Sequence, residues 1–69
     1  MLGKHLIYQR EQRDLSQEQL AHATGITQAA ISYWESGKRI PNVQACIKLA
    51  DFYGISVDEL IGHEVKKNW

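Results

Sequence analysis

The chain has one cysteine, one proline, one phenylalanine and no excess of either charge, with eight Lys and Arg against eight Asp and Glu in 69 residues. A lone Cys46 cannot close an internal disulfide, so the fold must rest on packing and capping, as suits a reducing compartment. No apolar run approaches the ~20 residues of a membrane span, and the opening MLGKHLIYQR lacks the apolar stretch of a secretory signal. The expected location is the cytoplasm, with no membrane partner. Charge neutrality argues against a polybasic coat for nucleic acid or membrane but leaves room for a local basic patch. A chain this short buries only about 60% of its unfolded surface, which excludes two cores, a deep layered pocket and the large catalytic folds. His5, His22 and His63 show no ligand spacing with one another or with Cys46, and neither a Gly-rich phosphate loop nor a carboxylate pair is present. No metal, cofactor or small-molecule ligand is expected, and no enzyme activity, because converging titratable groups in a sheltered cleft are missing.

What the chain does contain is helix punctuation. Ser16 and Gln19 form a capping box stapled by Leu15 and Leu20, and that helix stops at Gly25. Thr27 caps the next, stapled by Ile26 and Ile31 and closed by Gly37. Asn42, directly after Pro41, starts a third that runs to Gly54. Ser56 and Glu59 make a second capping box, stapled by Ile55 and Leu60, before a stop at Gly62. Ahead of these lies a helix over about residues 2–13, with Leu2 and Leu6 one turn apart on its apolar face. The expected architecture is all-α, a compact bundle of five helices. In the fourth helix Val43, Cys46, Ile47, Leu49, Ala50 and Tyr53 share an arc of about 160° that reads as core, with Cys46 a small buried hydrophobe.

The informative spacing lies between the second and third helices, separated only by Thr24, Gly25 and Ile26. So tight a turn needs a residue that accepts positive φ, Gly25, and the crossing needs a small side chain, Ala21. On the third helix Gln28, Ala29, Ser32, Tyr33 and Ser36 span about 140°, with Ile31, Trp34 and Glu35 opposite. A face free of long charged side chains fits a major groove and presents amides and hydroxyls to base edges. The same face also suits an ordinary solvent surface of a helical bundle.

Three stretches together resemble the Cro/repressor-type, XRE-like helix-turn-helix regulators: LSQEQLA at 15–21 before Gly25, ISYWESGKR at 31–39 before Pro41, and LADFYGISVDEL at 49–60. The resemblance covers about residues 5–61. It implies a helix-turn-helix domain over residues 1–61, a C-terminal tail at 62–69, and binding to double-stranded DNA as a two-fold homodimer on an inverted repeat, the third helix in the major groove. Carried over by position, Gln28, Ala29, Ser32 and Tyr33 face bases, while Gln17, Gly37, Lys38, Arg39 and Asn42 meet phosphates. The family also commonly pairs the positions held here by Arg10 and Glu35, which implies a structural ion pair. Two features depart from the family pattern. Asp14 stands where a glycine commonly ends the first helix, and no Arg or Lys lies between Gln28 and Ser36, which disfavours guanine readout.

A different use of the same fold is a protein-interaction module, or an antitoxin whose main partner is another protein. Neutral charge and the plain third helix suit that reading, whereas Lys38 and Arg39 beside Gly37 suit a phosphate clamp. For assembly, Phe52 falls about 60° outside the fourth helix's apolar arc, and Ile61, Val65 and Trp69 continue apolar character past the last cap. They are the dimer candidates; alternatively Phe52 packs beneath its own tail.

Overall fold

A computed structural model describes residues 2–62. Among these there are five helices and no strand: α1 Leu2–Glu11, α2 Gln17–Thr24, α3 Gln28–Ser36, α4 Val43–Tyr53 and α5 Val57–Ile61. Short polar side chains set the starts. The amide of Gln19 donates to Ser16 Oγ at 3.0 Å while the Ser16 amide donates to Gln19 Oε1 at 2.8 Å, completing the first capping box. Thr27, Asn42 and Ser56 each accept one amide of the following turn, from Ala30, Ala45 and Glu59. Each such cap contributes about 1 kcal/mol by satisfying a donor the helix leaves free. The second capping box is only half formed. Glu59 Oε1 accepts from the Ser56 hydroxyl at 3.4 Å, so the carboxylate is turned to the side chain of its cap.

The end of α1 also differs from the sequence reading. The helix stops at Glu11, and the Asp14 and Leu15 amides donate to the Glu11 and Arg10 carbonyls in a tight turn. Asp14 carries the positive φ, 55°, that reverses the chain. Asp adopts this region at a lower cost than most residues, which is why the turn closes without glycine.

The core is Leu6, Leu20, Ile31, Leu49, Ala50 and Leu60, one or two residues from each helix. Ile31 and Leu60 are fully buried, each contributing about 1.5–3 kcal/mol through apolar surface removed from water. α1 packs on α3 and α5, α2 on α3 and α4, and α4 on α5. Leu15, Ile26 and Ile55, the preceding members of the three staples, pack against this core.

The buried face of α4 is narrower than its apolar arc. Leu49 and Ala50 are buried and Cys46 and Tyr53 half-buried, but Val43 is 74% and Ile47 47% exposed. Burial of α4 is concentrated in its second half, so Val43 and Ile47 stand in solvent beside an 80% exposed Ile40. Phe52 is also exposed, its ring tilted against Tyr53 at 5.4 Å, while Ile61 packs on the core.

Gly3 is the position that sequence patterning passes over. It is buried in α1, and a Cβ there would collide with the carbonyl oxygen of Glu35. The backbone of α1 therefore lies against the last turn of α3, an approach that only glycine permits.

Candidate nucleic-acid interface

The turn between α2 and α3 sets the interface. Gly25 takes φ 76° and its amide donates to the Ala21 carbonyl, ending α2. Thr24, buried, donates its hydroxyl to the Leu20 carbonyl at 2.8 Å and accepts the Ile26 amide, so the turn's polar groups are satisfied internally. α3 begins two residues on, and its two faces separate as the periodicity requires. Ile31 and Glu35 are buried and Trp34 half-buried, whereas Gln28, Ala29, Tyr33 and Ser36 are exposed and Ser32 is half-buried.

Glu35 fixes this face in place. Its Oε2 accepts from Arg10 Nε at 2.8 Å and its Oε1 from Arg10 Nη2 at 3.0 Å, a bidentate pair with side chains only 13% and 6% exposed. The hydrogen bond to Glu35 holds the Arg10 guanidinium above its already high pKa, with burial acting the other way. Arg10 Nη1 also donates to the Leu15 carbonyl at 2.7 Å. Gln17 Nε2 donates to Glu35 Oε1 at 2.9 Å, so the first residue of α2 is tied to the last turn of α3. That places the α2 N-terminus, where amides and helix dipole favour an anion, beside the start of the loop after α3. One amide hydrogen of Gln17 is committed to Glu35; the other and the amide oxygen are not part of that bond.

The loop itself is residues 37–40, all exposed. Gly37 closes α3 with φ 84°, and the Lys38 and Arg39 amides both donate to the Tyr33 carbonyl, at 2.9 and 3.3 Å. Lys38 Nζ lies 5.7 Å and Arg39 Cζ 5.6 Å from the Tyr33 ring centroid. Asn42 uses its Oδ1 to cap α4, accepting from the Ala45 amide at 2.8 Å, which leaves its amide nitrogen outside the cap. Gln17, Lys38 and Arg39 are thus brought to one end of α3, with the small polar face of α3 alongside. Phe52 and Ile61 belong to α4 and α5, and Val65 and Trp69 lie outside the described residues.

Elsewhere the chemistry is quiet. Burial pushes the Cys46 thiol above its usual value, favouring the unreactive protonated form. Among the described residues no group of three or more His, Cys, Asp and Glu is placed to hold a metal, and no helix is long and apolar enough to cross a membrane. A cavity of about 10 Å³ beneath α3, lined in part by Ile31, Trp34, Glu35 and Tyr53, has room for little beyond a water molecule.

Comparison with known proteins fits this geometry. A helix-turn-helix family profile matches residues 6–60. The transcriptional activator BcrR of Enterococcus faecalis is 40% identical over 55 residues, covering 80% of this chain and 27% of that protein. The cryptic phage CTXphi transcriptional repressor RstR of Vibrio cholerae is 36% identical over 52 residues, 75% of this chain and 47% of the relative. A crystal structure of a transcriptional regulator from Listeria innocua superposes with a TM-score of 0.81 at 26% identity, covering all of this chain and 64% of that one. The chain spans between about a quarter and a half of the length of these two curated relatives. On the profile match, the five-helix order and the turn at Gly25, the chain belongs to the XRE-type helix-turn-helix family.

Proposed function

We propose that this domain binds double-stranded DNA with α3 in the major groove and acts in the cytoplasm as a transcriptional repressor on an inverted-repeat operator. The observation that carries this reading is the arrangement of α3, an exposed face of small polar side chains ending at two exposed cations. Gln28, at the helix start, pairs bidentately with adenine; Ala29 meets a thymine methyl; Ser32 and Tyr33 lie further along the groove. Gln17, Gly37, Lys38, Arg39 and Asn42 meet phosphates and set the register of the domain. Repression asks least of a DNA-binding domain, since occupying the operator is enough. Of the two relatives, one is named an activator and the other a repressor.

Two copies on one DNA face place their recognition helices about 34 Å apart, one turn of duplex. We assign the homodimer contact to Phe52, at its edge, together with Ile61, Val65 and Trp69. The exposed strip of Ile40, Val43 and Ile47 is the competing apolar surface. Sedimentation of the full chain and of Phe52→Ser and Val43→Ser variants, with an inverted-repeat duplex, identifies which surface joins the copies.

A salt titration of binding to duplex DNA tests the central reading. Two to four neutralised phosphates per domain give a logarithmic slope of about −2 to −4. A protein-interaction module or antitoxin, favoured by the net charge of zero, gives no counterion release.

A further inference from the structure

We propose that Tyr33 is a positioning residue: its ring holds Lys38 and Arg39 together as one phosphate-binding cluster, rather than reading a base. This rests on the DNA-binding reading and assigns Tyr33 a different role within it. Both ends of the residue act on the loop. The Tyr33 carbonyl accepts from the Lys38 amide at 2.9 Å, the Arg39 amide at 3.3 Å and the Ser36 hydroxyl at 3.2 Å. The exposed ring stands within 5.7 Å of both side-chain cations. Among the described residues the one ion pair is that of Arg10 and Glu35, so no carboxylate there holds Lys38 or Arg39.

The choice of partner matters chemically. A carboxylate beside these cations would neutralise the charge that a phosphate needs. An aromatic face attracts a cation through its quadrupole and leaves the charge in place. Lys and Arg are long side chains with large rotamer freedom, and resting them on one ring reduces what must be ordered when a phosphate arrives. Gathering two positive charges there also focuses potential in a chain whose net charge is zero. The phenol hydroxyl is unnecessary for any of this, so phenylalanine should replace tyrosine.

The test uses the full chain with a mixed-sequence duplex, comparing Tyr33→Phe and Tyr33→Leu, each alone and with Lys38→Ala/Arg39→Ala. Tyr33→Phe is expected to match the wild type in affinity and in the duplexes it selects from a random pool. Tyr33→Leu is expected to lose about 5-fold, equally across sequences, since each rotamer-rich side chain that must be ordered on binding costs about 2- to 12-fold. That loss should vanish in the background lacking both cations. In the free protein, ring-current upfield shifts of the Lys38 ε and Arg39 δ protons should be present in the wild type and Tyr33→Phe and absent in Tyr33→Leu. A Tyr33→Phe variant as weak as Tyr33→Leu, an altered choice of duplex, or a loss that persists without the cations would overturn the proposal in favour of direct readout. No loss in Tyr33→Leu would also overturn it. If the wild type binds no duplex, the DNA reading fails and the phosphate role with it, while the proton shifts decide separately whether the ring holds the cations.

Discussion

Replacing Glu35 with alanine removes the acceptor of three hydrogen bonds, two from Arg10 and one from Gln17. Arg10, with a side chain 13% exposed, is left with its bond to the Leu15 carbonyl and no carboxylate in contact. Breaking a buried pair from one side costs about 3–5 kcal/mol, because the surviving charge stays desolvated. A domain of this size has a total stability of roughly 3–10 kcal/mol, so Glu35→Ala should remove a large part of it. The corresponding fall in Tm is roughly 12–40 °C. Urea unfolding followed by tryptophan fluorescence and by circular dichroism measures the loss, with an unchanged slope showing that the same surface is exposed. Arg10→Met/Glu35→Leu provides the control, since replacing both partners by apolar groups is often neutral or stabilising. A loss below about 1 kcal/mol in Glu35→Ala would refute the reasoning, because that is the range of solvent-screened surface pairs.

Gly3→Ala should lose about 1–3 kcal/mol in the same assay, since the new Cβ meets the backbone of α3; a gain, as expected for an ordinary helical glycine, would show that α1 can shift away. The Tyr53 hydroxyl is buried without a partner, so Tyr53→Phe should cost nothing and gain up to about 1 kcal/mol, whereas a clear loss would reveal a bond to that oxygen. Burial pushes the Cys46 thiol and the Tyr53 phenol above their usual values, the latter opposed by Arg13 and Arg10. The folded chain therefore keeps protons that the unfolded chain releases, and the stabilisation present below pH 9 declines as pH rises through this range. The urea midpoint should fall between pH 8 and pH 10.5, and fall less in Cys46→Ala/Tyr53→Phe; equal falls would remove these groups from the effect. Arg39→Ala should reduce the salt slope of duplex binding by about one, and an unchanged slope would take Arg39 off the phosphate backbone.

The elements that sequence foretells here are those set within a few residues. Ser16 with Gln19, Thr27, Asn42 and the glycine stops act over one turn, so the boundaries of α2 to α4 follow from local chemistry alone. α1 stops at Glu11 because the amides of Arg13 and Asp14 bond three residues back, to Arg10 and Glu11, a tightening of the last turn that helical periodicity does not show. What periodicity cannot show is which part of an apolar arc finds a partner. Val43 and Ile47 share the stripe of Leu49 and Ala50, yet the burial of α4 lies in its second half. Gly3 is illegible for the same reason, since its need arises from Glu35, far along the chain. The pairing of Arg10 with Glu35 follows from family resemblance rather than spacing, and the third partner, Gln17, from neither. The approach of Lys38 and Arg39 to the Tyr33 ring crosses a helix stop, where the 3.6-residue rule no longer applies.

Selection of bound duplexes from a random pool, run in parallel with the wild-type chain and Gln28→Ala, bears most directly on the role of α3. The wild type should enrich an inverted repeat with half-site centres about one helical turn apart. Gln28→Ala should retain the spacing but relax one symmetric base position, at a penalty of roughly 1–3 kcal/mol on the base that the wild type prefers. Failure of the wild type to enrich any duplex, or an identical consensus from both chains, would contradict the reading of bases by the N-terminal turn of α3.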